Sequence, residues 1–272
     1  MDWLFFLSSG AVAIMVIAGL SLTITIAAEM LWPRRTLTAP IGARWGNNLT
    51  LAVITWYGTN ITSFAIMLAI AGFTENQEWG LFQHYDTGFL LPFFTLLVVA
   101  QLFSYVTHIM FHRIPLLWPL HAVHHSDTDV DISTSYRHHP LEPLIFMPLF
   151  TPVILLLGVP VEAIFAYQVL HIFLTFFSHS NMRLPPLLDR YLSAVIVTPD
   201  YHRVHHSSDV TYTNSNYGGV VPWFDYLFGT AKKRDFCQHE SFELGLEYDR
   251  DSKFSRIDKL LLSPFRSRPE AD

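Results

Sequence analysis

The chain has 272 residues, of which 51% are hydrophobic and 15% are charged, and its formal net charge is -6. This balance differs from that of soluble domains and indicates a membrane protein, while the acidic charge and the lack of a basic stripe exclude a nucleic-acid-binding module. The single cysteine, Cys237, excludes an internal disulfide and a multi-cysteine metal site, so any bound metal must be held by nitrogen and oxygen ligands.

Three long apolar stretches predict transmembrane helices. The first runs from Trp3 to about Leu31 and contains one charged residue, Glu29. It exceeds the ~20 apolar residues that cross a bilayer, and it is too long for the apolar core of a signal peptide. The second stretch runs from about Leu49 to Phe73 and the third from about Gly88 to Phe111.

Two shorter apolar runs lie between residues 141 and 178, separated by Gly158 and Pro160. Each run is short for a full crossing, so together they predict a helical hairpin that enters and leaves on one side; two complete spans are the alternative. The predicted fold is all-α: a polytopic membrane protein with about three transmembrane helices, a helical hairpin and a cytoplasmic, histidine-rich helical cap. We expect residues 1–94 to form N-terminal membrane helices, 95–235 the histidine-rich domain and 236–272 a cytoplasmic tail.

The charges of the loops predict the orientation in the membrane. The 33–47 loop carries Arg34, Arg35 and Arg44, whereas the 74–87 loop has acidic residues and no Lys or Arg. Basic loops stay in the cytoplasm, so the 33–47 loop is predicted to be cytoplasmic and the 74–87 loop external. With three spans and a hairpin, all 17 Lys and Arg residues fall on the cytoplasmic side, together with every clustered histidine.

Histidines occur in three tight clusters between residues 108 and 206. The clusters read His108-x3-His112, His121-x2-His124-His125 and His202-x2-His205-His206. Residues at i, i+3 and i+4 share one face of a helix, so each cluster can direct its imidazoles toward one point. Eight rings exceed the number that one tetrahedral ion accepts, which favours two metal ions. Histidines without a ligand role would explain one such pattern but not three.

Further motifs accompany the clusters in a fixed order along the chain. They are Asn216-Tyr217-Gly218, Trp223-Phe224-Asp225 and Leu227-Phe228-Gly229-Thr230. With these motifs, residues 95 to 235 resemble the fatty acid hydroxylase superfamily, also called the sterol desaturase family. The resemblance implies an integral membrane enzyme with two iron ions at a cytoplasmic, histidine-rich centre. Such an enzyme uses O2 and electrons from a separate reductase, cytochrome or ferredoxin to hydroxylate, desaturate or cleave a lipid.

The resemblance also assigns the metal ligands by position. They are His108, His112, His121, His124, His125, His202, His205 and His206. Two further histidines lie in segments that resemble family features, His139 in the Arg137–Glu142 segment and His179 in the Phe177–Asn181 segment. We expect both to be ligands, with hydrogen-bonding or capping roles as the alternative. His171 lies within an apolar run and is predicted to be a hydrogen-bonded core histidine.

Four aspartates flank the clusters and are candidates to accept the second ring proton of a ligand imidazole. They are Asp127, Asp200, Asp209 and Asp225. Solvation or helix capping would explain any one of them equally well.

Two other functions compete with a di-iron lipid hydroxylase or desaturase. A zinc-dependent membrane hydrolase would need a carboxylate base beside its histidines, but the residues inside the clusters are apolar or Arg203. A non-enzymatic metal-binding or transport protein would need ionisable groups at mid-membrane depth, and the first two predicted spans have none there. The substrate remains open among fatty acyl chains, sterols, ether lipids, carotenoids and sphingoid bases, as does the choice between hydroxylation and desaturation.

Overall fold

The structure is a computed structural model that describes residues 3–55 and 61–266, with side chains from residue 12 onward. The described residues form helices joined by loops, with two isolated β-bridges and no strand, so the all-α prediction is confirmed. The longer helices are α1 (Trp3–Leu31), α2 (Ile41–Leu51), α3 (Ile61–Asn76), α4 (Leu90–Arg113), α6 (Leu141–Leu157) and α7 (Val161–His179). The shorter helices are α5 (Trp118–His125), α8 (Pro186–Leu192), α9 (Pro199–His205), α10 (Val210–Thr213), α11 (Trp223–Phe228) and α12 (Ile257–Leu262).

Three described helices are long and apolar enough to cross a membrane. They are the Val12–Leu31 part of α1, together with α4 and α7. The first and third predicted spans are therefore confirmed, and the number of spans agrees. The third member of the set is α7, which the sequence predicted as the returning half of the hairpin. The predicted 49–73 span falls on the end of α2, a π-helical turn at 52–55, residues outside the described part, and the shorter α3.

The hairpin formed by α6 and α7 turns sharply at its tip. Gly158 ends α6 in the left-handed conformation, with φ 58°, and Pro160 precedes α7. The tip packs against the loop between α3 and α4, where the Gln83 amide donates to the Gly158 carbonyl at 2.8 Å. A Cβ on Gly158 would lie 2.6 Å from the Trp79 carbonyl oxygen. The hairpin therefore reaches the end of the molecule that carries the predicted external loop.

The core lies between the long helices, where α7 packs against α1 and α4, and α6 packs against α3. At the polar end of the molecule, buried ion pairs hold the loop after α1 against the short helices. Arg34 pairs with Asp200, which lies on α9, and Arg44 pairs with Asp127, which follows α5. The basic 33–47 loop and the histidine clusters therefore share one end of the molecule.

The close approach at the hairpin tip predicts that Gly158→Ala destabilises the fold by roughly 2 kcal/mol or more, because the left-handed backbone and the short contact both penalise a Cβ. Thermal unfolding of the detergent-solubilised protein measures the effect. Gly88→Ala is the matched control, since Gly88 has a similar φ of 63° but no atom within 4 Å of the added Cβ. Equal melting temperatures for the two variants would contradict the role assigned to the contact.

Candidate metal centre

The three histidine clusters are carried by three helix segments whose ends meet. His108 and His112 occupy the last two turns of α4. Pro119 lies in the first turn of α5, which carries the second cluster, and the Thr198 side chain caps α9 by accepting from the Tyr201 amide. Proline and a hydroxyl cap both favour a helix start at these positions. Local sequence thus fixes where each short histidine helix begins.

The imidazoles converge in two groups. Site A comprises His108, His112, His121, His125 and His205, and site B comprises His124, His179, His202 and His206. Within each group the nitrogens that could bind a metal lie within 4.8 Å of one another. The structure thus brings together nine of the ten histidines predicted as ligands.

The two sites adjoin because the same helices serve both. Histidines four residues apart share a site: His121 and His125 point into site A, whereas His202 and His206 point into site B. The histidine three residues after the first, His124 or His205, belongs to the other site. The rings of His125 and His206, one from each site, stack with centroids 4.7 Å apart.

The donor set fits metal ions. In site B, Nε2 of His202 lies 3.0 Å from Nε2 of His179 and 3.2 Å from Nε2 of His206. Both ring nitrogens of His125 are buried without a hydrogen-bond partner. Unpaired buried nitrogens cost about 1–3 kcal/mol each, and a cation between their lone pairs removes that cost. Imidazole donors suit iron, zinc, copper and nickel.

Burial also sets the protonation state that such a site needs. Loss of solvation lowers the pKa of His205 to about 3 and holds the pKa values of His124 and His206 well below the ordinary value, with neighbouring imidazoles acting in the same direction. These rings are therefore neutral at physiological pH. A neutral imidazole is the form that binds a metal ion.

Backbone carbonyls orient several of the rings. Nδ1 of His108 donates to the Tyr217 carbonyl at 2.7 Å, and Nδ1 of His205 donates to the Ser215 carbonyl at 2.7 Å. Within α7, Nδ1 of His179 donates to the Thr175 carbonyl at 2.8 Å. Each bond fixes the ring so that Nε2 points into its site. Sequence could not reveal these partners, because every residue has a carbonyl.

The predicted contacts between four aspartates and the ring protons are not formed in the described part of the chain. Asp127 pairs with Arg44, Asp200 pairs with Arg34 and Arg203, and Asp209 accepts from the Thr211 amide at the start of α10. Guanidinium groups and free helix amides attract these carboxylates more strongly than neutral imidazoles do.

Asp225 supports site A through the backbone. Its carboxylate accepts from the amides of Tyr217 and Gly218 at 2.8 and 2.7 Å. The Tyr217 carbonyl in turn accepts from His108. Asp225 therefore positions a peptide group that orients a ring, one contact further from the site than predicted.

Sequence reasoning missed a third cluster beside the sites. Oε2 of Glu142 lies 3.0 Å from Nδ1 of His121 and 3.2 Å from Nδ1 of His138. The His138 ring stacks on His124 with centroids 4.2 Å apart. The Glu142–His138 pair thus contacts one ring of each site. The signal available was a carboxylate four residues after a histidine, at the start of an apolar helix.

His139 joins neither site. Its Nδ1 accepts from the Leu141 amide at 3.2 Å, and its Nε2 donates to the Leu261 carbonyl at 3.2 Å. Both nitrogens are therefore engaged, and His139 lies outside the two groups that could hold a metal ion. Pro140 starts the next helix and directs His139 toward the C-terminal segment.

A cavity of about 360 Å³ connects the sites with the membrane helices. Its floor includes His108 and His121 of site A and His124, His179 and His202 of site B. Its walls come mainly from α3, α4, α6 and α7, with apolar residues such as Phe64, Met67, Phe146, Met147 and Phe150. His171 also lines this cavity and its Nδ1 has no hydrogen-bond partner, which corrects the prediction of a hydrogen-bonded core histidine.

Comparison with known proteins agrees with this geometry. A family model described as fatty acid hydroxylase matches residues 93–230. An ornithine lipid hydroxylase of Rhizobium tropici is 32% identical over 136 residues, 49% of this chain and 40% of that protein. A human alkylglycerol monooxygenase is 30% identical over 146 residues, 53% of this chain and 30% of that protein. A very-long-chain aldehyde decarbonylase of Oryza sativa subsp. indica is 28% identical over 156 residues, 54% of this chain and 25% of that protein.

The chain thus matches less than half the length of each of these three relatives. No solved structure matches the chain.

The site geometry predicts that His179→Ala and His139→Ala differ in metal content. His179→Ala removes one of four nitrogens from site B and should lower the bound metal per chain by up to half, whereas His139→Ala should leave it unchanged. Elemental analysis of the purified variants measures this directly. An equal loss of metal in both variants would contradict the assignment of His139 outside the sites.

Proposed function

The chain belongs to the fatty acid hydroxylase family, and we propose that it is a membrane-bound, O2-dependent di-iron enzyme that hydroxylates or desaturates a lipid. The observation that carries this proposal is the convergence of nine imidazoles, eight of them in buried residues, in two adjoining sites at the floor of an apolar cavity. Two bound iron ions would supply oxidation of an unactivated C–H bond by O2 with two external electrons.

The chain itself would bind the metals and hold the lipid. Sites A and B offer five and four imidazole nitrogens, and hydrogen bonds to backbone carbonyls orient several of these rings. The aromatic and aliphatic walls of the cavity would hold an apolar chain against the floor histidines and exclude water from it. Positioning of this kind lowers the barrier for a reaction at a chosen carbon, and exclusion of water protects reactive species from side reactions.

Glu142 is proposed to orient the ligand His121. Its carboxylate accepts the Nδ1 proton of that ring, which turns Nε2 toward site A, and the same carboxylate fixes His138 against His124. Carboxylate partners of this type raise the basicity of a ligand imidazole.

Accordingly, Glu142→Gln should lower turnover or metal affinity about 10- to 100-fold, because a neutral amide is a weaker acceptor for the ring proton. Metal titration and turnover measure the two effects separately. Glu162→Gln is the matched control, since Glu162 occupies the first turn of α7 as Glu142 occupies that of α6, but it is exposed. Partial rescue by Glu142→Asp would separate a charge requirement from a packing effect.

The lipid character of the substrate is supported by three observations: the apolar cavity, the candidate membrane spans, and relatives whose names specify an ornithine lipid, alkylglycerol and very-long-chain aldehyde. We propose a fatty acyl, sterol, ether or related lipid as substrate. The electrons would come from a separate electron-transfer protein or reductase. The basic loop after α1 lies at the histidine end, which supports a cytoplasmic location for the sites.

The proposal predicts that the purified protein holds two iron ions per chain and consumes O2 when a reductant and a lipid are supplied. Elemental analysis and an oxygen electrode measure both quantities on the same preparation. Zinc bound during expression can be exchanged by reconstitution with iron. If the protein is isolated with zinc alone and still consumes no O2 after reconstitution with iron, that result would contradict the oxygenase and favour a metal-dependent hydrolase.

A further inference from the structure

The cavity contains polar side chains well away from the metal sites. Tyr167, Gln168 and His171, which we call the polar band, line the cavity from α7 among apolar neighbours. α7 is one of the helices that can cross a membrane, and His171 lies near its middle. Polar side chains at that depth are expensive and usually serve a bound group.

His171 has hydrogen-bonding capacity that the protein does not use. Its ring stacks on Tyr167 with centroids 5.7 Å apart, and its buried Nδ1 has no hydrogen-bond partner. A neutral imidazole offers one donor and one acceptor. Burying such a nitrogen unpaired costs free energy that a bound polar group would recover.

Tyr167 also has an unused proton. Its hydroxyl oxygen accepts from the Gln101 amide nitrogen at 3.0 Å, and the Gln101 amide oxygen accepts from the Val220 amide at 3.2 Å. The second bond fixes the orientation of the Gln101 amide, so the Tyr167 hydroxyl proton points elsewhere. No described residue accepts that proton, and none forms a hydrogen bond with the Gln168 side chain.

The band lies at a defined distance from site B. Gln168, His171, Thr175 and His179 recur three or four residues apart and all line the cavity, so they share one face of α7. His171 precedes His179 by eight residues. At ~1.5 Å per residue, His171 lies about 12 Å along the helix axis from the ligand.

We propose that the polar band binds an oxygen-bearing group within the chain of the lipid, such as a hydroxyl, and that His171 thereby determines which carbon lies at the metal sites. This inference rests on the proposed function and names the substrate class of the same cavity. The oxygen of the bound lipid would lie beside His171, about 12 Å along α7 from His179, on the part of the lipid that extends toward the membrane interior. The His171 imidazole and the Tyr167 hydroxyl would both form hydrogen bonds with that oxygen.

Binding by the full-length purified protein in nanodiscs tests the inference. Octadecanoate and a series of octadecanoates with one hydroxyl moved along the chain compete with labelled octadecanoate. The wild type should bind one positional isomer about three- to tenfold more tightly than octadecanoate, the range that one hydrogen bond supplies. His171→Leu should abolish the preference, His171→Gln should retain part of it, and the exposed-site control His84→Leu should retain all of it.

The inference is overturned if no positional isomer is preferred by the wild type, or if the preference persists in His171→Leu. A merely structural histidine would produce the first result. Because binding requires no O2, the readout is independent of turnover. Oxygen uptake without an isomer preference overturns only the role of the polar band. An isomer preference without oxygen uptake overturns only the proposed oxygenase activity.

Discussion

The fold depends on bringing together nine imidazoles, eight of them in buried residues, whose nitrogens face one another. Ring nitrogens of different histidines lie close together at this density, as for Nε2 of His202 and Nε2 of His179 at 3.0 Å. Hydrogen bonds do not satisfy all of them, because both ring nitrogens of His125 are buried without a partner. The arrangement becomes favourable when cations occupy the two sites, so metal binding and the packing of the short helices are expected to be one energetic event.

Buried ion pairs provide the frame that holds these short helices on the membrane helices. Burial raises the pKa of Asp127, but Arg44 and Arg137 outweigh that effect and hold it below its ordinary value. Arg137 is fully buried and donates to the Val123 carbonyl and to Asn48. Removing one partner of a buried pair costs about 3–5 kcal/mol. The arginines that set the predicted orientation in the membrane therefore also tie the loop after α1 to the metal centre.

Sequence alone predicted the helical class, two of the membrane spans and the histidines that meet, because these depend on local apolar length and on i, i+4 spacing. It could not predict which rings share a site, since His124 and His125 are adjacent yet serve different sites. It also missed Glu142 and the engagement of His139. The contacts of Glu142 with His121 and of His139 with Leu261, like the pairing of Arg34 with Asp200, join residues distant in sequence and leave no local pattern.

The histidines of α5 are divided between the two sites, as are those of α9, and this has a thermodynamic consequence for metal binding. Each helix contributes rings to both groups, so an ion in site A would immobilise His125 and His205 and, with them, the neighbouring His124 and His206 of site B. Part of the ordering cost of the second site would then be met when the first is filled. Such shared supports would couple the two binding equilibria reciprocally, so that an ion in one site would favour binding of an ion in the other.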